Sequence, residues 1–171
     1  MLGFLFRGLT ADPARAAPLF DALTAEARQP SWFVAGAIPD TINGRFAVLA
    51  TVTALALVRL ESEGEAGDSA SIALTERFIQ VMESEHRELG ISDPSLGKTV
   101  RKLVAMLARR TELWRSATAG EGDWSEAARQ SLYGEAEITP DALSASVDLL
   151  RKLEQRLKAT PFEQLAQGKM A

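Results

Sequence analysis

The sequence has no cysteine and a single histidine, His86, and both scarcities limit its chemistry. Without cysteine there is no disulfide, no thiol nucleophile and no Cys-ligated zinc or iron–sulfur cluster. Glu83 and His86 have the Glu-x-x-His spacing of di-iron bundles, but such a centre needs a second pair, which one histidine cannot supply. A Ser-His-Asp triad would depend on the same single histidine. We therefore expect no metal, no haem and no other cofactor, and a protein that is not an enzyme.

The sequence also lacks a long apolar run. The longest uncharged stretch, Phe46–Val58, has thirteen residues, which is short of the roughly 18–20 needed to span a bilayer. The first nine residues, MLGFLFRGL, lack the basic leading region and the length of a secretory signal. We expect a cytoplasmic protein without a transmembrane helix, and leave open a peripheral contact with the inner membrane.

The composition favours helices. Alanine and leucine are abundant, there is one tyrosine, and apolar residues rarely alternate as they do in strands. A chain of 171 residues suits one compact domain, so we predict an all-α fold of about six or seven helices around a central apolar helix. We assign 1–18 to a flexible or loosely helical arm, 19–115 to the helical core and 116–171 to C-terminal helices packed on the same domain.

Apolar spacing and helix breakers predict the helix positions, with Asp123 and Thr139 as N-caps of two later helices. The acidic, glycine-containing stretch Glu61–Ser71 is interpreted as a loop, and GISDPSLG, residues 90–97, as a connector. The main predicted helices are 19–27, a helical turn at 30–36, the central helix 45–60, 71–89 and 98–115.

The net charge of −4 is unevenly distributed. Residues 61–86 carry seven acids against one base, whereas residues 87–115 carry seven bases against three acids. The predicted helix 98–115 places Lys98, Arg101, Lys102 and Arg109 on one face. A solvated face is the simpler interpretation, and contact with a ribosome or an acidic membrane is the alternative. Specific nucleic-acid readout is not expected, since no aromatic residues are interleaved with these cations.

Three blocks of sequence, ARQPSWF, IPDTINGRF and RELGISDPSLGKTVRKL, together resemble the ubiquinol-cytochrome c chaperone family. These proteins are assembly factors for cytochrome b of the bc1 complex in mitochondria and alphaproteobacteria. The resemblance covers about Leu19–Trp114 and implies a non-catalytic chaperone that binds newly synthesised cytochrome b. Where relatives have Phe-Tyr-Gly-Arg this chain has LARR, which leaves open a divergent paralogue with another membrane-protein client.

The family resemblance and the residue types together indicate a set of candidate partner-binding residues. Trp32 and Phe33 are interpreted either as an exposed apolar patch or as core packing, and Arg45 either as a buried ion pair with Asp40 or Asp93 or as a client contact. The full set is Arg28, Trp32, Phe33, Asp40, Arg45, Phe46, Arg87, Glu88, Asp93, Lys98 and Lys102.

The turn before the central helix has a structural interpretation too. Asp40 or Thr41 can cap the helix, Gly44 can adopt a backbone angle that other residues resist, and Phe46 can anchor the core. We predict a client groove between the central helix and the basic helix. Replacing Arg45 or Trp32 with alanine should then weaken cytochrome b co-purification without changing melting. The alternative function is that of a membrane-surface or ribosome adaptor, which would make its contacts through MLGFLFRGL and the basic helix.

Overall fold

The computed structural model describes residues 13–88 and 96–171, although not the side chains of residues 86, 87 and 96. The described part of the chain contains helices and no strand, which confirms the all-α prediction. A 3-10 turn at Pro13–Ala16 leads into the first helix. The α-helices are α1 (Ala17–Ala27), α2 (Pro30–Val34), α3 (Ile42–Leu60), α4 (Gly64–Glu88), α5 (Leu96–Thr118), α6 (Trp124–Ala128), α7 (Pro140–Ala159) and α8 (Phe162–Ala166).

Helix α3 is the centre of the fold, as predicted. It contacts α1, α4, α5 and α7, and its residues from Val48 to Leu57 are buried except for the half-buried Leu49. The hydroxyl of Thr41 accepts a hydrogen bond of 3.2 Å from the amide of Gly44, so Thr41 is the N-cap. The helix consequently begins at Ile42, three residues before the predicted start.

The prediction of a loop at Glu61–Ser71 is wrong. A 3-10 turn at Glu61–Glu63 is followed at once by α4, which begins at Gly64. Gly64 has a φ of +59°, a conformation that glycine adopts without steric cost. A Cβ at Gly67 would lie 2.0 Å from the carbonyl oxygen of Leu60. These glycines therefore allow α4 to fold back closely on the end of α3 instead of breaking the helix.

The C-terminal residues are tied to both ends of this core. Arg59 donates to the carbonyl oxygens of Leu157 at 3.0 Å and Thr160 at 3.2 Å. The buried hydroxyl of Tyr133 donates to the carbonyl oxygen of Gly36 at 2.5 Å and lies 2.5 Å from the hydroxyl of Ser146. Burial raises the pKa of Tyr133, so the phenol keeps the proton that this bond needs. The segment after α2 is thereby held against α7.

Among the described residues, one segment contains a window that is long and apolar enough to cross a membrane by length and composition. The segment, Ile42–Glu85, includes α3, the 3-10 turn and most of α4, and more than half of its most apolar window is buried inside the fold. The core helix of a compact protein passes the same test, so the stretch is weak evidence for a membrane span.

Candidate partner-binding groove

An open groove with a volume of about 880 Å³ lies beside the first turns of α3. Its walls are α1, α2 and the C-terminal end of α4, and α5 contributes Leu103. The prediction placed the groove between the central and basic helices, but most of its wall comes from α1, α2 and α4. We call this feature the apolar groove.

The lining is mainly apolar. Phe33, Phe46 and Leu49 are half-buried and line the groove. The ring of Phe46 lies 6.1 Å from the buried ring of Phe78, a distance typical of aromatic pairs. Phe46 therefore anchors the core with one part of its ring and lines the groove with the rest.

Two large apolar side chains stand exposed at the mouth of the groove. Val34 is 79% exposed and Ile42 is 72% exposed, and both line the groove. Val34 is the last residue of α2 and Ile42 is the first of α3, so both side chains project from helix ends rather than from the middle of a packed helix. Exposed apolar side chains that line one groove are typical of interaction sites.

Charged residues form the rim. The guanidinium of Arg45 binds Asp40 through two hydrogen bonds, Nε to Oδ1 at 2.6 Å and Nη2 to Oδ2 at 3.3 Å. The hydrogen bond from Arg45 holds the pKa of Asp40 below its usual value, so the carboxylate stays charged to a lower pH than an ordinary aspartate does. Arg28 and Glu85, both exposed, line the same groove.

The prediction that Arg45 makes a buried ion pair is half right. The partner is Asp40, but the side chains of Arg45 and Asp40 are 64% and 55% exposed. Water screens such a pair, so it contributes little to stability. The alternative partner, Asp93, lies outside the described residues. Arg45 is therefore available to a bound partner at the edge of the groove.

Gly44 is needed for space rather than for an unusual backbone angle. It lies within the first turn of α3, and it is not among the described glycines with positive φ. A Cβ at this position would lie 1.9 Å from the carbonyl oxygen of Pro39. The interpretation of Gly44 as a residue with a special dihedral is thus wrong, and the close contact holds the turn at Pro39–Thr41 against α3.

Trp32 does not belong to an exposed patch, which corrects that part of the prediction. Its side chain is 1% exposed and its indole NH donates to the carbonyl oxygen of Glu26 at 2.9 Å. Because residues 30–34 form a helix, successive side chains point about 100° apart. Trp32 consequently enters the core while its neighbour Phe33 lines the groove.

The structure brings together five of the predicted residues, namely Arg28, Phe33, Asp40, Arg45 and Phe46. Other predicted residues lie elsewhere: Glu88 is exposed at the end of α4, and Lys98 and Lys102 are exposed on α5 without lining the groove. The side chain of Arg87 lies outside the described part, as do the side chain of His86 and residues Gly90 and Asp93.

Sequence reasoning missed Val34 and Ile42, the two exposed large apolar side chains of the groove. Each lies at a helix end, eight residues from the other along the chain. Helical periodicity cannot reveal such a pair, because it describes one helix at a time. The one feature of the sequence that could have indicated Val34 and Ile42 is that both are apolar residues flanking the turn at Gly36–Thr41.

Comparison with known proteins supports a family assignment. A family model described as ubiquinol-cytochrome C chaperone matches residues 35–171. The match includes the blocks around IPDTINGRF and GKTVRKL and extends through the C-terminal helices, beyond the resemblance seen in the sequence. No curated protein matches the sequence significantly.

A solved structure has the same fold along the whole chain. The crystal structure of the Cbp3 homolog from Brucella abortus superimposes with a TM-score of 0.77 and 26% sequence identity, over 100% of this chain and 96% of that one. The family match covers well over half of the sequence. The chain therefore belongs to the ubiquinol-cytochrome C chaperone family.

Proposed function

We propose that this protein is a non-catalytic assembly chaperone that binds newly synthesised cytochrome b in the apolar groove and assists assembly of the bc1 complex. Family membership supports a chaperone role. The observation that carries the proposal is the exposure of Val34 and Ile42 at the mouth of a groove with a charged rim.

The groove has the properties that temporary binding of a membrane-protein segment requires. Fully burying a valine or isoleucine side chain contributes about 1.5–3 kcal/mol, so covering Val34 and Ile42 would favour binding of an apolar helix face. Rim charges such as Arg45 and Glu85 influence orientation and association rate more than affinity. A client held by few strong contacts can be released once it folds.

Replacing both exposed apolar residues should abolish capture without unfolding the protein. We expect Val34→Ser with Ile42→Ser to reduce co-purification of cytochrome b at least tenfold, because the apolar contact is lost from both sides of the groove. The melting temperature should hardly change, since both side chains face water. The measurement is pulse-labelled cytochrome b recovered with the tagged protein from cells.

The chain contains a matched control for that experiment. Val104 on α5 is 40% exposed and lies outside the groove, so Val104→Ser should retain normal capture. An equal loss for both variants would refute the groove as the binding site. Enrichment of a different membrane protein in place of cytochrome b would favour the divergent paralogue.

Replacing Arg45 with alanine should reduce the capture of cytochrome b several-fold and leave the melting temperature unchanged. The ion pair with Asp40 is exposed, so its loss alters the rim of the groove rather than the core. Circular dichroism melting and co-purification are measured on the same samples. Arg129→Ala is the control, because Arg129 makes an exposed pair with Glu126 outside the groove; equal capture by the two variants would exclude a role for Arg45.

A further inference from the structure

The outer face of α5 carries a stripe of cations that the groove does not use. Lys98, Arg101, Lys102 and Arg109 are all exposed. At 100° per residue they fall within an arc of about 100°, and at 1.5 Å per residue the stripe is about 16 Å long. Leu103, Leu107 and Trp114 are buried on the opposite face. We call these four cationic residues the basic stripe.

The charges of the basic stripe are not neutralised by the part of the fold that the structure describes. In residues 13–88 and 96–171, no carboxylate lies within ion-pair distance of any of the four. Some other arginines are paired: Arg115 at the far end of the same helix contacts Glu61 and Glu112, and Arg156 contacts Glu26. The basic stripe is therefore available to an external anionic partner.

The surface beside the basic stripe suits a flat anionic layer. Ala105 and Ala108 are exposed small residues between the cations, so the helix can lie close to a plane. The single aromatic residue of α5, Trp114, is buried. This face consequently offers no ring on which a nucleic-acid base could stack.

We propose that the basic stripe binds the anionic phospholipid headgroups of a membrane, with α5 lying parallel to the surface. Four cations along one straight helix match the negative potential of such a surface. Leu103 lines the apolar groove from the opposite face of the same helix, so the contact holds the groove one helix diameter, roughly 10 Å, from the membrane surface. Lipid binding is a separate activity from client binding and requires no cytochrome b.

Vesicle flotation with the purified full-length chain tests the proposal. We expect binding to vesicles of equal parts phosphatidylglycerol and phosphatidylcholine, no binding to phosphatidylcholine alone, and weakening as salt is added. Lys98→Gln with Lys102→Gln should weaken binding about 25-fold, because each cation near the surface contributes about a factor of five. Failure to bind the phosphatidylglycerol vesicles at low salt would overturn the proposal.

Three controls test whether the basic stripe itself makes the contact. Lys152→Gln with Lys169→Gln removes the same charge from two other exposed lysines and should bind as wild type; a loss equal to that of the α5 variant would overturn the proposal. Deleting residues 1–9 should leave binding intact, and loss would assign the contact to that segment instead. Tighter binding to duplex RNA than to the vesicles, lost in the same α5 variant, would make nucleic acid the partner.

Discussion

Replacing Trp32 with alanine is expected to lower the free energy of unfolding by about 3–5 kcal/mol, the range for large aromatic side chains removed from a core. The side chain is 1% exposed, so its removal leaves a cavity between α2 and the core. The carbonyl oxygen of Glu26 also loses the hydrogen bond from the indole. Urea denaturation followed by circular dichroism measures the change.

Phe33 provides the matched comparison. It is the next residue on the same short helix, but it is half-buried and lines the apolar groove. Phe33→Ala should therefore cost less stability than Trp32→Ala and reduce client capture more, relative to the amount of folded protein. Unchanged stability in Trp32→Ala, combined with a loss of capture, would show that Trp32 is a surface contact and would contradict its burial in the core.

Replacing Gly44 with alanine is expected to destabilise the protein although the residue is helical. A methyl group would lie 1.9 Å from the oxygen and 3.0 Å from the carbon of the Pro39 carbonyl, and these backbone atoms cannot rotate away. Overpacking typically costs about 1–3 kcal/mol, and a 1.9 Å contact with backbone belongs at the upper end of that range, above the roughly 1 kcal/mol that alanine gains over glycine in a helix. The displaced turn carries Asp40, so capture should decrease as well.

Gly97 is the control for that substitution. It lies in the first turn of α5, and a Cβ there would meet no atom within 4 Å. Gly97→Ala should leave the free energy of unfolding unchanged or raise it by a few tenths of a kcal/mol. The two alanine variants should therefore move in opposite directions in thermal melts. Stabilisation by Gly44→Ala would contradict the close contact with Pro39.

Local sequence chemistry was sufficient to predict several elements of the fold. The amides of Glu126 and Ala142 donate to the side chains of Asp123 and Thr139 at 2.7 and 3.3 Å, so both predicted N-caps are confirmed. Such caps depend on residues three apart in sequence. The loop prediction at Glu61–Ser71 failed because the role of Gly67 depends on the backbone of α3, which only the folded chain brings within reach.

The sequence identified several of the residues that line the groove, but not which side chains are exposed there. The block IPDTINGRF contributes Asp40, Arg45 and Phe46 to the groove, and α2 contributes Phe33. The family resemblance had identified these four residues as candidates. The sequence could not show that Trp32 turns inward while Phe33 turns outward, because that choice depends on how α2 packs against its neighbours. The exposure of Ile42 likewise depends on the position of the helix start, which lies three residues before the predicted one.

Photo-crosslinking from the mouth of the groove tests client binding most directly. A photoreactive side chain at position 42, or at the exposed position 148 of α7 outside the groove as the control, is introduced into the full chain in cells, and adducts with pulse-labelled membrane proteins are identified. The proposed function predicts a cytochrome b adduct at position 42 that far exceeds the one at position 148. Equal adducts at the two positions, or none with cytochrome b, would contradict it.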